Sequence, residues 1–318
     1  MKPLSIVIIT YNRPKDALEL AANIDGLEGL DRLVEEVIFV NNHSSISYSD
    51  LEAFIAARPN GPFRYYATQE NLGVSRGRNY AIRQSTAPIL VFLDDDALFR
   101  NKDALIHITD IFKDEESQGR NTGIAGFKVF YYDTLQLQQS AFPHKQFHRR
   151  KDWPHFETYY FTGCAHAIRR EVFQRAGYYP ENFFYGMEEY DLSYRALDAG
   201  FHICYDHRVE ILHKESPAGR LTPREKLRGM WVNKSRVAWK YLPKKWFYTT
   251  ALLWSLEYLK KGGWDWKGYW KGWKEVSGVP STEVRRKLAP DSMVYLKKVE
   301  ARLSYWPAVV WLSEVLCS

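Results

Sequence analysis

Three stretches of this chain bring together side chains that could do chemistry on a charged substrate. The sharpest is Asp94-Asp95-Asp96, three adjacent carboxylates directly after the apolar run Ala87 to Leu93. Neighbouring carboxylates repel one another unless a cation or solvent screens them. Oxygen ligands suit Mg²⁺ or Mn²⁺, ions that bridge protein carboxylates to substrate phosphates; a solvated acidic turn is the plainer account of an isolated Asp triplet. The second stretch is Glu188-Glu189 with Asp191, preceded by Gly186. A general base needs a carboxylate beside the hydroxyl it deprotonates, with a pKa adjusted by its neighbours. An acidic first helical turn, favoured by the macrodipole, is the alternative. The third is Asn71-Leu72-Gly73 followed by Arg76 and Arg78, where a planar guanidinium fork suits a pyrophosphate. His213 is a candidate third metal ligand or a satisfied surface histidine.

The elements around these residues read as an α/β domain. Leu4 to Thr10 is a continuous apolar run that stops at Tyr11-Asn12-Arg13-Pro14, a buried strand with a helix beginning near Pro14. Val34 to Val40 repeats the pattern and ends at Asn41-Asn42; Phe63 to Ala67 is a short strand and Val74 to Gln84 a helix. Ala87 to Leu93 is a further strand, then Ile124 to Tyr131. Thr162 to Arg169 reads as strand into helix, a helix follows Glu188 to about Ala199, and strands lie near His202 to Tyr205 and Val209 to Leu212. Leu135 to Phe156 is polar and reads as a mobile loop. Strands alternating with helices imply a mostly parallel sheet flanked by helices, and ligands bind such sheets outside the carboxyl ends of the strands. The polar clusters after Thr10, Val40 and Leu93 all fall at such ends.

In order along the chain, SIVIITYNRP, VIFVNNHSS, NLGVSRGRN, VFLDDDA, TGCAHAIRREVF, YGMEEYDLSYRALDAG and ILHK resemble the inverting family 2 glycosyltransferases with the GT-A fold, over about Leu4 to His213. The resemblance implies transfer of a sugar from a UDP- or dTDP-sugar to a glycan or lipid-linked acceptor, as in cell-surface polysaccharide biosynthesis, with Mn²⁺ or Mg²⁺. It also implies residue roles. Thr10, Tyr11 and Arg13 match the nucleotide-contacting loop, and Asn41 stands where the family usually has a base-binding aspartate. Arg78 matches the arginine near the diphosphate. Asp94 and Asp96 match the ends of the D-x-D motif, Asp96 being the usual direct metal ligand, with Asp94 and Asp95 on the donor side. His213 matches a histidine that closes the metal site. Gly163 begins the acceptor-side segment. Glu188 and Glu189 match a Glu-Asp pair whose second member is commonly the base, with Asp191 close by. The implied organisation is a catalytic domain over 1–217, nucleotide-binding to residue 98 and acceptor-side beyond it, and a helical region over 218–318.

Charge divides the chain at the same place. From residue 218 onward there are 20 lysines and arginines against 8 acids and 10 of the 11 tryptophans; before it, 24 against 30 and Trp153 alone. Basic segments seek anions. Thr222-Pro223-Arg224-Glu225 is a capping box that starts a helix to about Leu242, and Trp246 to Leu259 is a second, apolar one. Trp266, Trp270 and Trp273 recur at i, i+4, i+7 beside Lys267, Lys271 and Lys274, as in a helix lying at a membrane surface; tryptophans packed on the catalytic core are the alternative. The three cysteines, Cys164, Cys204 and Cys317, match no disulfide framework, and no leader pattern is visible. The expectation is therefore a cytoplasmic protein, peripheral on the cytoplasmic face of a membrane, with no nucleic-acid partner. A nucleotidyltransferase would carry a glycine-rich loop after its first strand, where this chain has Thr10 to Pro14 without glycine. A non-enzymatic membrane- or nucleic-acid-binding protein leaves both acidic clusters unexplained.

Overall fold

The computed structural model describes residues 1–216 and 221–303. The ends of the expected helical region, 218–220 and 304–318 with Cys317, lie outside the described residues. Among the described residues nine strands form one sheet: β1 (Leu4–Thr10), β2 (Val34–Asn41), β3 (Phe63–Ala67), β4 (Ile89–Asp94), β5 (Ala97–Phe99), β6 (Thr122–Tyr131), β7 (His155–Thr158), β8 (Ala165–Arg169) and β9 (His202–His213), in the order β3-β2-β1-β4-β8-β6-β9-β5 with β7 on β9. The helices are α1 (Pro14–Asp25), α2 (Leu30–Leu33), α3 (Ser49–Ala56), α4 (Gly73–Gln84), α5 (Ala104–Ser117), α6 (Phe147–Arg150), α7 (Arg170–Ala176), α8 (Glu188–Asp198), α9 (Pro223–Tyr241), α10 (Lys244–Lys261), α11 (Trp266–Thr282) and α12 (Pro290–Lys298).

The strands read as unbroken apolar runs because both sheet faces are buried. On β1, Leu4, Ile6 and Ile8 join the core beneath α1, α3 and α5, while Val7 points into the core beneath α4, α7 and α8. Successive strand side chains alternate between faces, so a strand covered on both has no polar position to spare.

β1 to β4 are parallel, as expected. Beyond β4 the sheet is mixed: β8 runs antiparallel to both β4 and β6. The two strands expected between His202 and Leu212 are one, β9, whose register against β6 slips between Phe127 and Lys128. That irregularity carries His207 to Val209 past the partner and explains the polar break in the sequence. Leu135 to Phe156 is no open loop. It holds a 3-10 turn at Gln139–Ala141, α6 and the first residues of β7, and Phe142 and Phe156 form a small core with Tyr205. His144, expected among mobile basic residues, is buried, its Nε2 2.9 Å from the Val299 carbonyl.

The basic, tryptophan-rich helices share a core with the sheet. Trp231, Val237 and Tyr241 of α9, Phe247 and Tyr258 of α10 and Val276 of α11 belong to the same buried cluster as Phe92, Tyr179 and Leu192. Trp231 is its centre: it is fully buried, its indole N–H donates to the Ala251 carbonyl at 2.9 Å, and Tyr258, Tyr269 and Trp273 ring it within 6 Å. Replacing a buried tryptophan by alanine costs about 3–5 kcal/mol. Trp231→Ala should lower unfolding stability by that amount in a single transition seen alike by near- and far-ultraviolet dichroism. Two separated transitions would mean that the helical region folds apart from the sheet.

Candidate active site

The carboxyl ends of the parallel strands form the floor of a cavity of about 700 Å³, lined by Tyr11, Arg13, Asn42, Arg78, the three aspartates, Gly163, His213 and the start of α9. Strand register explains the convergence. Ile9 of β1 pairs with Asp94 of β4, so the Tyr11–Arg13 turn and the aspartates leave adjacent strands at one level. β5 then folds back on β9, with Ala97 opposite His213, and this pairing sets His213 beside Asp96. The Asp94 amide donates to the Cys164 carbonyl at 2.9 Å and draws the Gly163 segment against β4.

The three aspartates turn to different partners, with Arg13 Nη1 shared by Asp95 at 2.7 Å and Asp96 at 3.1 Å. Asp94, partly exposed, lies 3.5 Å from Arg78 Nη2. Asp95 is buried; its Oδ2 accepts from the Thr10 hydroxyl at 2.7 Å and its Oδ1 from Arg13 Nη1 at 2.7 Å. Burial pushes its carboxyl up to about 7 against the pull of Arg13 and Thr10. Asp96 is buried too, but the His213 hydrogen bond and the Arg13 charge outweigh desolvation and hold it at about 2. Its Oδ2 accepts from the Ser216 amide at 2.7 Å, and its Oδ1 faces His213 Nε2 at 3.4 Å. The other ring nitrogen of His213 is fixed by Gln138 Oε1 at 2.9 Å.

Asp94, Asp96 and His213 each present a ligand atom within 4.8 Å of the others. Two carboxylates and an imidazole held from behind by an amide are a fitting donor set for Mn²⁺ or Mg²⁺. Glu115, His155 and Cys204 also lie together, but Arg120 and the Thr122 hydroxyl already occupy the Glu115 carboxylate and burial pushes the Cys204 thiol up.

The second acidic cluster meets the first through Arg78. This guanidinium is buried, donates to the Gly163 carbonyl at 2.9 Å and lies 3.5 Å from Glu188, 3.6 Å from Glu189 and 3.5 Å from Asp94. Gly186 and Met187 both take left-handed backbone, φ 83° and 73°, and so turn the chain to start α8 with these two glutamates. Burial raises both carboxyls. The charge of Glu189 adds to the rise at Glu188, which reaches about 8, while Arg78 opposes it.

Not every expected residue reaches the cavity. Thr10 is fully buried and touches it only through Asp95; its hydroxyl also lies 2.7 Å from the Tyr48 hydroxyl. Asn41 is turned aside, donating to the Tyr65 hydroxyl at 2.8 Å and accepting from the Ser44 amide at 2.9 Å. Asp191, expected with the catalytic pair, is the clear correction. It points from α8 to Arg195, to Lys240 and to the Tyr241 hydroxyl, the last at 2.8 Å, an anchor between α8 and α9 with both oxygens engaged. Residues that the motifs did not mark are Asn42, whose amide spans Asn71, Leu72 and Gly73, Gln138, Tyr185, and Thr222, Glu225 and Lys226 at the start of α9. The capping box at Thr222 is real and marked a helix start, but nothing in it said where that helix would dock.

This sheet and cleft define a GT-A fold. The sequence profile of glycosyl transferase family 2 matches residues 5–177, more than half of the chain, and the chain belongs to that family; it is a glycosyltransferase. An uncharacterised protein of Haemophilus influenzae (strain Rd) is 30% identical over 179 residues, 56% of this chain and 92% of its own length. Among solved structures, GalNAc-T7 with UDP, GalNAc and Mn²⁺ superposes with a TM-score of 0.59 at 16% identity, covering 78% of this chain and 50% of that one. Residues 1–349 of Staphylococcus aureus TarS give 0.57 at 15%, covering 88% and 81%. The mannosyltransferase PcManGT of Pyrobaculum calidifontis, with GDP-Man and Mn²⁺, gives 0.54 at 14%, covering 94% and 80%. At such identities the likeness is one of fold, and the chain spans only half the length of GalNAc-T7.

Gly163 is held to glycine by contact. A Cβ there would overlap Glu189 Oε1 and sit 3.1 Å from Arg78 Nη2. Misplacing a reacting group by about 1 Å costs on the order of 10²-fold in rate. Gly163→Ala should lower kcat by that factor and leave the melting temperature nearly unchanged, as steady-state kinetics beside a thermal melt will test.

Proposed function

We propose that this chain is an inverting, metal-dependent glycosyltransferase. It transfers a sugar from a nucleotide-sugar donor, a UDP- or dTDP-sugar, to a glycan or lipid-linked acceptor in cell-surface polysaccharide assembly on the cytoplasmic face of a membrane. The observation that carries the reading is the bridge from Asp94 through Arg78 to Glu188 and Glu189, which stand behind Arg78, while Asp94, Arg78 and the Asp96–His213 pair line one cleft. The Mn²⁺ complexes of GalNAc-T7 and PcManGT, one with UDP and the other with GDP-Man, support the substrate class.

In this reading Asp94, Asp96 and His213 hold the cation. A bound Mn²⁺ or Mg²⁺ would offset charge on the departing nucleoside diphosphate. Tyr11 and Arg13 border the nucleotide, and Arg13, already 2.7 Å from Asp95, keeps the loop closed on the aspartates. Arg78 faces the diphosphate side and lets one of the two buried glutamates ionise beside it. Glu189 accepts the proton of the acceptor hydroxyl as its oxygen attacks the anomeric carbon. The nucleoside diphosphate leaves from the opposite face, and configuration inverts. Burial and the Glu189 charge raise the Glu188 carboxyl as well, so the pair shares one charge beside Arg78.

A base must be ionised to act, and burial raises Glu189 above the usual glutamate range. The kcat/KM profile should therefore fall as pH drops through that raised value, at a higher pH than an exposed glutamate would give. General-base removal costs about 10²–10⁴-fold. Glu189→Gln should lose transfer by that much and keep donor affinity; transfer at the wild-type rate would move the base elsewhere.

Metal dependence is tested at Asp96. Calorimetric titration with a panel of nucleoside diphosphates and nucleotide sugars should show binding that requires Mn²⁺ or Mg²⁺, and Asp96→Ala should abolish the metal-dependent part. Equal affinity with and without metal in both proteins would refute the assignment.

A further inference from the structure

The outer side of the C-terminal helices carries large apolar side chains that catalysis does not use. On α10, Tyr248, Leu252 and Leu256 follow one another at i, i+4, i+8 and are 62%, 52% and 49% exposed, while Phe247, Ala251 and Tyr258 of the same helix are buried. The stripe ends just before the turn Gly262-Gly263-Trp264, in which Trp264 is held at φ 61°. There Trp264 and Trp266 lie 6.2 Å apart, and Trp264, Trp266 and Trp270 are 65%, 53% and 65% exposed. Exposed lysines flank them: Lys244 and Lys260 at the two ends of α10, and Lys267, Lys271 and Lys274 along α11. Acidic side chains nearby are engaged, Glu257 with Lys261 at 2.6 Å and Glu275 with Arg228 at 3.7 Å.

We propose that this face docks on an anionic lipid surface. Indole rings favour the headgroup level, leucines favour the acyl boundary beneath it, and lysines meet lipid phosphates. The aliphatic stripe decides against nucleic acid, since Leu252 and Leu256 offer bases no ring to stack on, whereas single-strand binding depends on such stacking. The docking is superficial, because among the described residues no helix is long and apolar enough to cross a membrane. The face differs from the one the tryptophan spacing implies. Trp273 is spent on the core, edge-on to Trp231 at 5.5 Å, and the α10 stripe takes its place. None of the docking residues lines the cleft, so a docked protein keeps it open. The proposal deepens the reading of a lipid-linked acceptor, but its test does not depend on that reading.

The experiment is flotation of the full chain with phosphatidylcholine vesicles, with and without phosphatidylglycerol, at low and high salt. Binding to the anionic vesicles should be at least about tenfold stronger and should weaken with salt. Trp266→Ser with Trp270→Ser, and separately Leu252→Ser with Leu256→Ser, should each cut it about tenfold, as loss of buried apolar area requires. Lys267→Gln, Lys271→Gln and Lys274→Gln together should erase the preference for anionic lipid. All three variants should retain donor turnover in solution, which separates loss of docking from loss of activity. Absence of binding, equal binding to both lipids, or variants that bind as wild type would overturn the proposal. So would a dimer in light scattering that the apolar variants dissolve, or a single-stranded oligonucleotide that competes for the same residues.

Discussion

The site depends on one buried cation. Arg78 sits on α4 with almost no exposed surface, and three carboxylates from two distant segments stand within 3.6 Å of it. Desolvating a guanidinium is costly, and so is desolvating Glu188 or Glu189; each becomes tolerable only because the other is present. The arrangement also fixes geometry. With one donor spent on the Gly163 carbonyl, Arg78 cannot follow a single acid. The Gly163 segment, the end of β4 and the start of α8 are thus referred to one point. A substitution there would leave two adjacent buried glutamates with nothing to balance them.

The aspartate triplet obeys the same constraint in another form. Three consecutive carboxylates at the end of a strand cannot share one environment while ionised. The chain parts them, sending Asp94 to Arg78, Asp95 to Arg13 and Thr10, and Asp96 to His213 and the Ser216 amide. All three border the cleft, but the middle one is spent on Thr10 and Arg13 and ties the first loop to the fourth strand. An acid in the middle of the D-x-D spacing here becomes a strut.

How much of this was legible in the sequence follows from how local each feature is. β1 to β4 and their terminal clusters could be read because a strand buried on both faces leaves an apolar run, and a strand end leaves polar residues. β5 and β7 escaped because three or four residues carry no period. β9 was split because its register slip looks like a turn. At the site, type and order mark Asp94, Asp96, Arg78 and His213, which line one cleft, and Glu188 and Glu189, which stand behind Arg78 outside its lining. Asp191 was grouped with them by spacing alone, yet two further residues along a helix turn a side chain by about 200°, which carries it away from Glu189 toward α9. Gln138 left no trace, since a single amide that orients a histidine across 75 residues has no pattern to betray it.

The helical region was the least legible part, because charge and tryptophan content describe its surface while its role depends on contacts. Its first turn lines the cleft at Thr222, Glu225 and Lys226, and the far end of α9 is fastened to α8 through Lys240 and Tyr241 on Asp191. α8 in turn begins with the two glutamates. A displacement of α9 along its axis would therefore reach Glu188 and Glu189 through a buried ion pair, and would move one wall of the cleft with them. In a chain built this way, the helix start that walls the cleft and the helix that presents the acid pair cannot vary independently. Among relatives, substitutions near Thr222 to Lys226 are then expected to come with compensating ones around Asp191, Arg195 and Lys240, while the Arg78 centre stays fixed.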